Sequence, residues 1–126
     1  MMKNQIRITL GRLANLDFQR RFCVEGTKSE YVLPDELLEA AANTIETTVS
    51  SPVLSKNLKS SEIEALREFL VVVNRLASKS SFTNESISNK ELIEKNPDWK
   101  ALRTAAQKCL DALGLKADFD ELLSRS

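Results

Sequence analysis

The chain contains no histidine. That absence removes the commonest general base, the usual partner of a nucleophilic serine or cysteine, and the commonest transition-metal ligand. The three glycines stand apart, at Gly11, Gly26 and Gly114, so neither a phosphate-cradling loop nor a dinucleotide fingerprint is assembled. Calcium loops of the DxDxDG type are missing. Cys23 and Cys109 are far apart and belong to no CxxC spacing, which fits free thiols on helices better than a zinc site or a redox pair. Carboxylates remain as catalytic candidates. Glu64 and Glu68 are one helical turn apart, a spacing suited to proton transfer that equally describes a solvated helix face. With no second shell or pocket motif around them, the chain is expected to be neither an enzyme nor a carrier of a metal or cofactor.

Charge points to binding instead. The 18 basic and 18 acidic residues cancel, but they are unevenly placed. Residues 1–28 hold six basic groups against two acidic ones, and residues 29–68 hold eight acidic groups against three basic ones. On the basic side, Arg12, Arg20 and Arg21 could form a strip on one helix, and Trp99 has Lys100 and Arg103 nearby, a combination used in nucleic-acid binding. The neutral total and the scatter of these groups argue against that reading, and Trp99 falls on an apolar arc where a core position accounts for it. On the acidic side, no Lys or Arg occurs between Glu30 and Ser55. Solvated helix faces usually mix signs to gain i,i+4 pairs, so a face with acids alone forgoes that support. The candidate partner-binding residues are therefore Glu30, Asp35, Glu36, Glu39, Asn43 and Glu46. Val71, an apolar residue on a polar arc between Arg67 and Arg75, is a further candidate contact.

The elements that must position these residues read as helices. At 126 residues the chain can bury an adequate core as one domain, 1–126, without a metal or disulfide. Three glycines and three prolines with abundant Leu, Ala, Glu and Lys favour helix over sheet. The longest amphipathic run is residues 61–79, where Ile63, Leu66, Phe69, Leu70, Val72, Val73, Leu76 and Ala77 fill about half of a helical wheel. Ser61 and Glu64 have capping-box spacing at its start. So wide an apolar face needs neighbours on two sides. The predicted architecture is an all-α, irregular bundle of five or six helices around this central helix, with Ile63, Leu66, Leu70 and Val73 fully buried.

Around it, Pro34 opens a helix that ends before Pro52, with Leu37, Leu38, Ala41, Ile45, Thr48 and Val49 inward and the acids outward. Residues 50–61 form a loop from which Val53, Leu54 and Leu58 dock on the core. Residues 78–88 are a serine-rich loop anchored by Phe82 and Ile87. Ser88 and Glu91 cap a short helix, and Asn96-Pro97-Asp98 opens a long one that buries Trp99, Leu102, Ala105, Ala106, Cys109, Leu110 and Leu113. Gly114 ends it, and Asp118 caps a last turn. The N-terminal segment is ambiguous. Ile6, Ile8 and Leu10 alternate as in a strand, whereas Ile6, Leu10, Ala14, Phe18 and Phe22 recur at helical spacing. A helix over residues 5–23 is the preferred reading, with a short β-hairpin of FCVE and EYVL about Gly26–Ser29 as its alternative.

A small helical chain without catalytic groups and with an acidic face resembles antitoxins and bacterial immunity proteins in size, helicity and charge layout. The resemblance implies a non-catalytic inhibitor that caps a basic partner, such as a nuclease toxin. A helical adaptor or regulator is the alternative. The N-terminus lacks a signal-peptide pattern, and no apolar window is long enough to span a bilayer. The expected setting is thus the cytoplasm, as a monomer or weak dimer, with another protein as partner and neither membrane nor nucleic acid.

Overall fold

The computed structural model describes residues 2–26, 31–77 and 88–123, and every regular element among them is helical. In chain order these are α1 (Met2–Ala14), α2 (Leu16–Gln19), a π-helical turn (Arg20–Val24), α3 (Pro34–Ser50), α4 (Pro52–Ser55), α5 (Ser60–Ala77), α6 (Asn89–Lys95), α7 (Pro97–Leu113) and α8 (Phe119–Leu123). The hairpin alternative is therefore overturned for the residues described. Phe22, Cys23 and Val24 lie in the π-helical turn, and Tyr31–Leu33 form no strand. Among the described residues, Val32 N–H donates to the Phe22 carbonyl at 3.0 Å.

The N-terminal helix is shorter than expected and more central. It stops at Ala14 because Asn15 adopts an extended backbone, and its side chain accepts the Phe18 N–H at 2.8 Å to cap α2. Asparagine competes with helical hydrogen bonding in this way, which favours it at caps. Ile6, Ile8, Leu10 and Leu13 are all buried. At 100° per residue, Ile6, Leu10 and Leu13 lie on one side and Ile8 with Gly11 on another. The strand-like alternation in the sequence thus marks a helix enclosed on two faces. It packs against α3 and α7 and is closed off by α2 and α8. Together α1 and α7, rather than α5 alone, form the centre.

Gly11 is what lets α8 approach. A β-carbon there would stand 2.7 Å from Leu122 Cδ2 and 3.2 Å from Ala117 Cβ. Alanine gains about 1 kcal/mol of helix propensity over glycine, while overpacking costs about 1–3 kcal/mol. Leu122 is fully buried, so its side chain has little room to yield and the second effect outweighs the first. Gly11→Ala is expected to lower stability by about 1 kcal/mol in urea melts. A variant more stable than the parent would show that residues 117–122 move aside freely.

Helix α5 packs on α7 and α3, the two neighbours that its wide apolar face demands. Its buried stripe differs from the expected one. Leu66, Phe69, Val73 and Leu76 are buried, whereas Ile63 and Leu70 are only partly so. Its cap also lies two residues earlier than Ser61. The helix starts at Ser60, and Lys59 N–H donates to Glu62 Oε1 at 2.9 Å. That bond holds the Glu62 carboxyl below its ordinary range, with burial opposing and Lys3 assisting.

Local signals fix the other boundaries as read. Ser88 Oγ accepts the Glu91 N–H, and Asn96 Oδ1 accepts those of Asp98 and Trp99. Gly114 takes the left-handed conformation at φ 67°, while Leu115 N–H bonds the Leu110 carbonyl and Gly114 N–H bonds that of Asp111. This is the Schellman pattern. The loop after α3 is a correction. Leu58 docks, but Val53 and Leu54 are exposed, Val53 at 73%. Phe82 and Ile87 lie outside the described residues.

Candidate protein-binding face

Helix α3 carries the acidic face because its other side is committed to the core. Pro34 takes the first turn, where its missing N–H costs nothing, and Asp35 and Glu36 sit at the positive end of the helix dipole. Leu37, Ala41, Ile45 and Thr48 are buried on the face that meets α1 and α5, with Thr48 Oγ1 donating to the Thr44 carbonyl at 2.7 Å. The opposite face presents Asp35, Glu36, Glu39, Asn43 and Glu46, all exposed. Asp35, Glu39 and Glu46 fall within about 40° of one another on the wheel and span about 16 Å along the axis. Glu30 lies outside the described residues.

The α3 carboxylates make no ion pair among the described residues, and α3 carries no base that could supply one. Among the described residues, ion pairs join Lys3 to Glu62 (3.4 Å), Arg7 to Glu121 and Arg20 to Glu94 (3.2 Å), and none involves α3. Val71 is 65% exposed, on the side of α5 opposite its buried stripe. It belongs to a different helix and is flanked one turn either way by Arg67 and Arg75, so it does not extend the acidic stripe.

Sequence reasoning missed the apolar residues that bracket α3. Tyr31 and Leu33 before the helix and Val53 and Leu54 after it are exposed. Tyr31 is held in place by its hydroxyl, which accepts from Asn89 Nδ2 at 3.0 Å. The only signal for them was position, outside the prolines that begin and end the helical period.

The basic strip is engaged internally. Arg12 Nε donates to the Leu122 carbonyl at 3.0 Å and its guanidinium lies over Phe18. Arg20 pairs with Glu94, and Arg21 lies over Phe22 and Phe119. Arg103 donates to the Ile93 carbonyl at 2.8 Å. Trp99 is buried, its Nε1–H donating to Gln19 Oε1 at 3.0 Å, so it offers no face for base stacking.

No family model, curated protein or solved structure matches this chain. Its chemistry is read from the groups in place. Both thiols are buried, and burial first, then nearby Glu36 for Cys23 and Glu68 for Cys109, pushes each up from 9.0 to about 12. The nucleophilic thiolate is therefore scarce at neutral pH. Glu64 and Glu68 are exposed. Glu68 borders a recess of about 150 Å³ lined mainly by Ala65, Phe69, Val72, Ala105 and Ala112, which Glu64 does not reach. Among the described residues no cluster of three or more acidic or cysteine side chains is arranged to hold a metal, and no helix is long and apolar enough to cross a membrane.

Proposed function

We propose that the protein is a non-catalytic binding protein that presents the exposed face of α3 to a basic surface on another protein. The observation that supports this reading is the unequal use of charge. The arginines of the N-terminal segment have partners on α6 and α8, while the α3 acids have neither a base on their own helix nor an ion pair among the described residues. Lone carboxylates on a rigid helix attract and orient a cationic partner over about a Debye length. Tyr31, Leu33, Val53 and Leu54 add apolar contacts at the two ends, where desolvated side chains supply affinity that exposed charges do not. The basic cleft of a nuclease toxin has this complementary chemistry, and in this reading the chain acts as an immunity or antitoxin protein. It would work as a monomer or weak dimer in a bacterial cytoplasm.

Reversal of two acids tests the proposal. Glu39→Lys with Glu46→Lys is expected to slow association with the partner by about tenfold or more and to flatten its salt dependence, because steering acts on the on-rate. Both positions are exposed, so stability should move by less than about 0.5 kcal/mol. Affinity capture from the native host with parent and double variant, each checked by thermal melting, reads both effects. Recovery of the same partners in the same yield by the folded variant would overturn the acidic interface.

A further inference from the structure

Arginines from the first 21 residues converge on one short C-terminal segment. Arg7 pairs with Glu121 and also donates to the Lys116 carbonyl at 3.1 Å. Arg12 Nε donates to the Leu122 carbonyl at 3.0 Å, and the Arg21 guanidinium lies 5.9 Å from the centre of the Phe119 ring. Between these groups Leu122 is wholly buried over Gly11, whose missing side chain makes its seat. The segment is organised by its own capping pair. Glu121 N–H donates to Asp118 Oδ1 at 2.9 Å, and Asp118 N–H donates to Glu121 Oε1 at 3.2 Å. The groove of α1 and α2 thus holds an acidic amphipathic turn with an aromatic residue and a leucine three positions apart.

Two features distinguish this seat from ordinary core packing. Helix α8 rests on α1 and α2, and it follows residues 115–118, which have no regular structure, and the left-handed Gly114. Five residues do not sustain a helix alone, so the groove sets the segment's conformation. A solvent-open cleft of about 420 Å³ also runs beside the segment, between Ala14, Asn15, Gln107 and Leu110 on one side and Lys116, Ala117, Asp118 and Glu121 on the other.

We propose that the α1–α2 groove is a docking site for a short acidic amphipathic helix of a partner protein, occupied in cis by residues 117–123 of this chain. The groove recognises an aromatic, an acid and a leucine, spaced as Phe119, Glu121 and Leu122, while Asp118 caps the turn from within the segment. Arg7 takes the acid, Arg21 the ring and the Gly11 seat the leucine. A partner segment with a large apolar residue in place of Ala117 fills the cleft and gains contacts that the resident lacks. The resident competes intramolecularly, so binding in trans is weakened by the fraction of time the groove is filled. This surface is separate from the α3 face and stands or falls independently of it.

A dye-labelled peptide of residues 115–123, and the same peptide with Ala117→Met, can be titrated by fluorescence anisotropy into the full-length chain and into full-length Leu122→Ser. Emptying the leucine seat is expected to tighten both peptides by about tenfold or more, in line with the larger vacant fraction. The Ala117→Met peptide is expected to bind more tightly than the native one, and Arg7→Glu in the Leu122→Ser chain to abolish binding. Glu121→Lys, a change at an exposed position that reverses the pair with Arg7, serves as the loosened chain if circular dichroism shows Leu122→Ser unfolded. Absence of binding, equal affinity for parent and loosened chain, or indifference to Arg7→Glu would overturn the proposal. A single-stranded oligonucleotide that displaces the peptide from the freed arginines would overturn it in favour of nucleic-acid binding.

Discussion

Replacing Gln19 with leucine is expected to cost the fold about 3–5 kcal/mol, since it would strip a partner from two buried groups and a partly buried one at once. Gln19 is completely buried where α2 passes into the π-helical turn. Its Nε2 donates to the carbonyls of Arg12 (3.0 Å) and Leu13 (2.6 Å), and its Oε1 accepts from Trp99 Nε1 (3.0 Å). Only one orientation of the amide satisfies this set, because the indole can only donate and the carbonyls can only accept. Arg12 and Leu13 are in the last turn of α1, where carbonyls have no helical N–H to meet them. One side chain therefore closes the C-terminus of α1 and fastens the break at Asn15 to α7. Each group left unsatisfied in the interior costs about 1–3 kcal/mol, and leucine, though similar in size, satisfies none of them. Trp99→Phe removes the donor and also shrinks a fully buried side chain, and is expected to cost about 2–5 kcal/mol. Urea denaturation of the two single variants and the double variant forms a cycle with an expected coupling above about 1 kcal/mol. A Gln19→Leu loss below about 1 kcal/mol would mean that the site admits water or repacks.

The origin of this network explains which parts of the molecule were legible in the sequence. Pro34, Asn96-Pro97 and Gly114 mark helix ends through the conformations of single residues, and those ends are where the sequence puts them. The acidic face of α3 was equally legible, because it depends only on helical period and on which arc is apolar. Gln19 was not, since its partner Trp99 lies 80 positions away and nothing local distinguishes a buried glutamine from an exposed one. The same holds for the N-terminal arginines. Their spacing suggests a basic strip, but α8 and Glu94, more than 70 positions distant, neutralise it. Val53 and Leu54 look apolar enough to dock, yet α4 turns them outward, and that depends on where α4 lies on α3. Asn15 was available as a break signal. The persistence of apolar residues across it, from Leu13 to Phe18, hid the cap.

The stripe on α5 gives the other large expected effect, and it separates two registers of the same helix. The sequence reading has Leu66 and Leu70 both fully buried, whereas the structure buries Leu66 completely and leaves Leu70, near the edge of the apolar arc, on the shoulder. Leu66 faces the layer made with α3 and α7, one turn before Phe69 and two before Val73. Truncating it to alanine removes methyl groups from an interior that cannot fully collapse, so Leu66→Ala is expected to cost about 2–5 kcal/mol. At Leu70 part of the side chain already meets solvent, and the lost transfer free energy is about half that of a fully buried leucine, roughly 1 kcal/mol. Val71→Ala, opposite the stripe, should change stability by less than about 0.5 kcal/mol. Denaturant melts of the three variants would therefore rank them Leu66, Leu70, Val71. Equal losses at Leu66 and Leu70 would turn the buried direction of the helix to lie between them. That rotation would also carry Val71 toward the interior and withdraw it as a surface available to a partner.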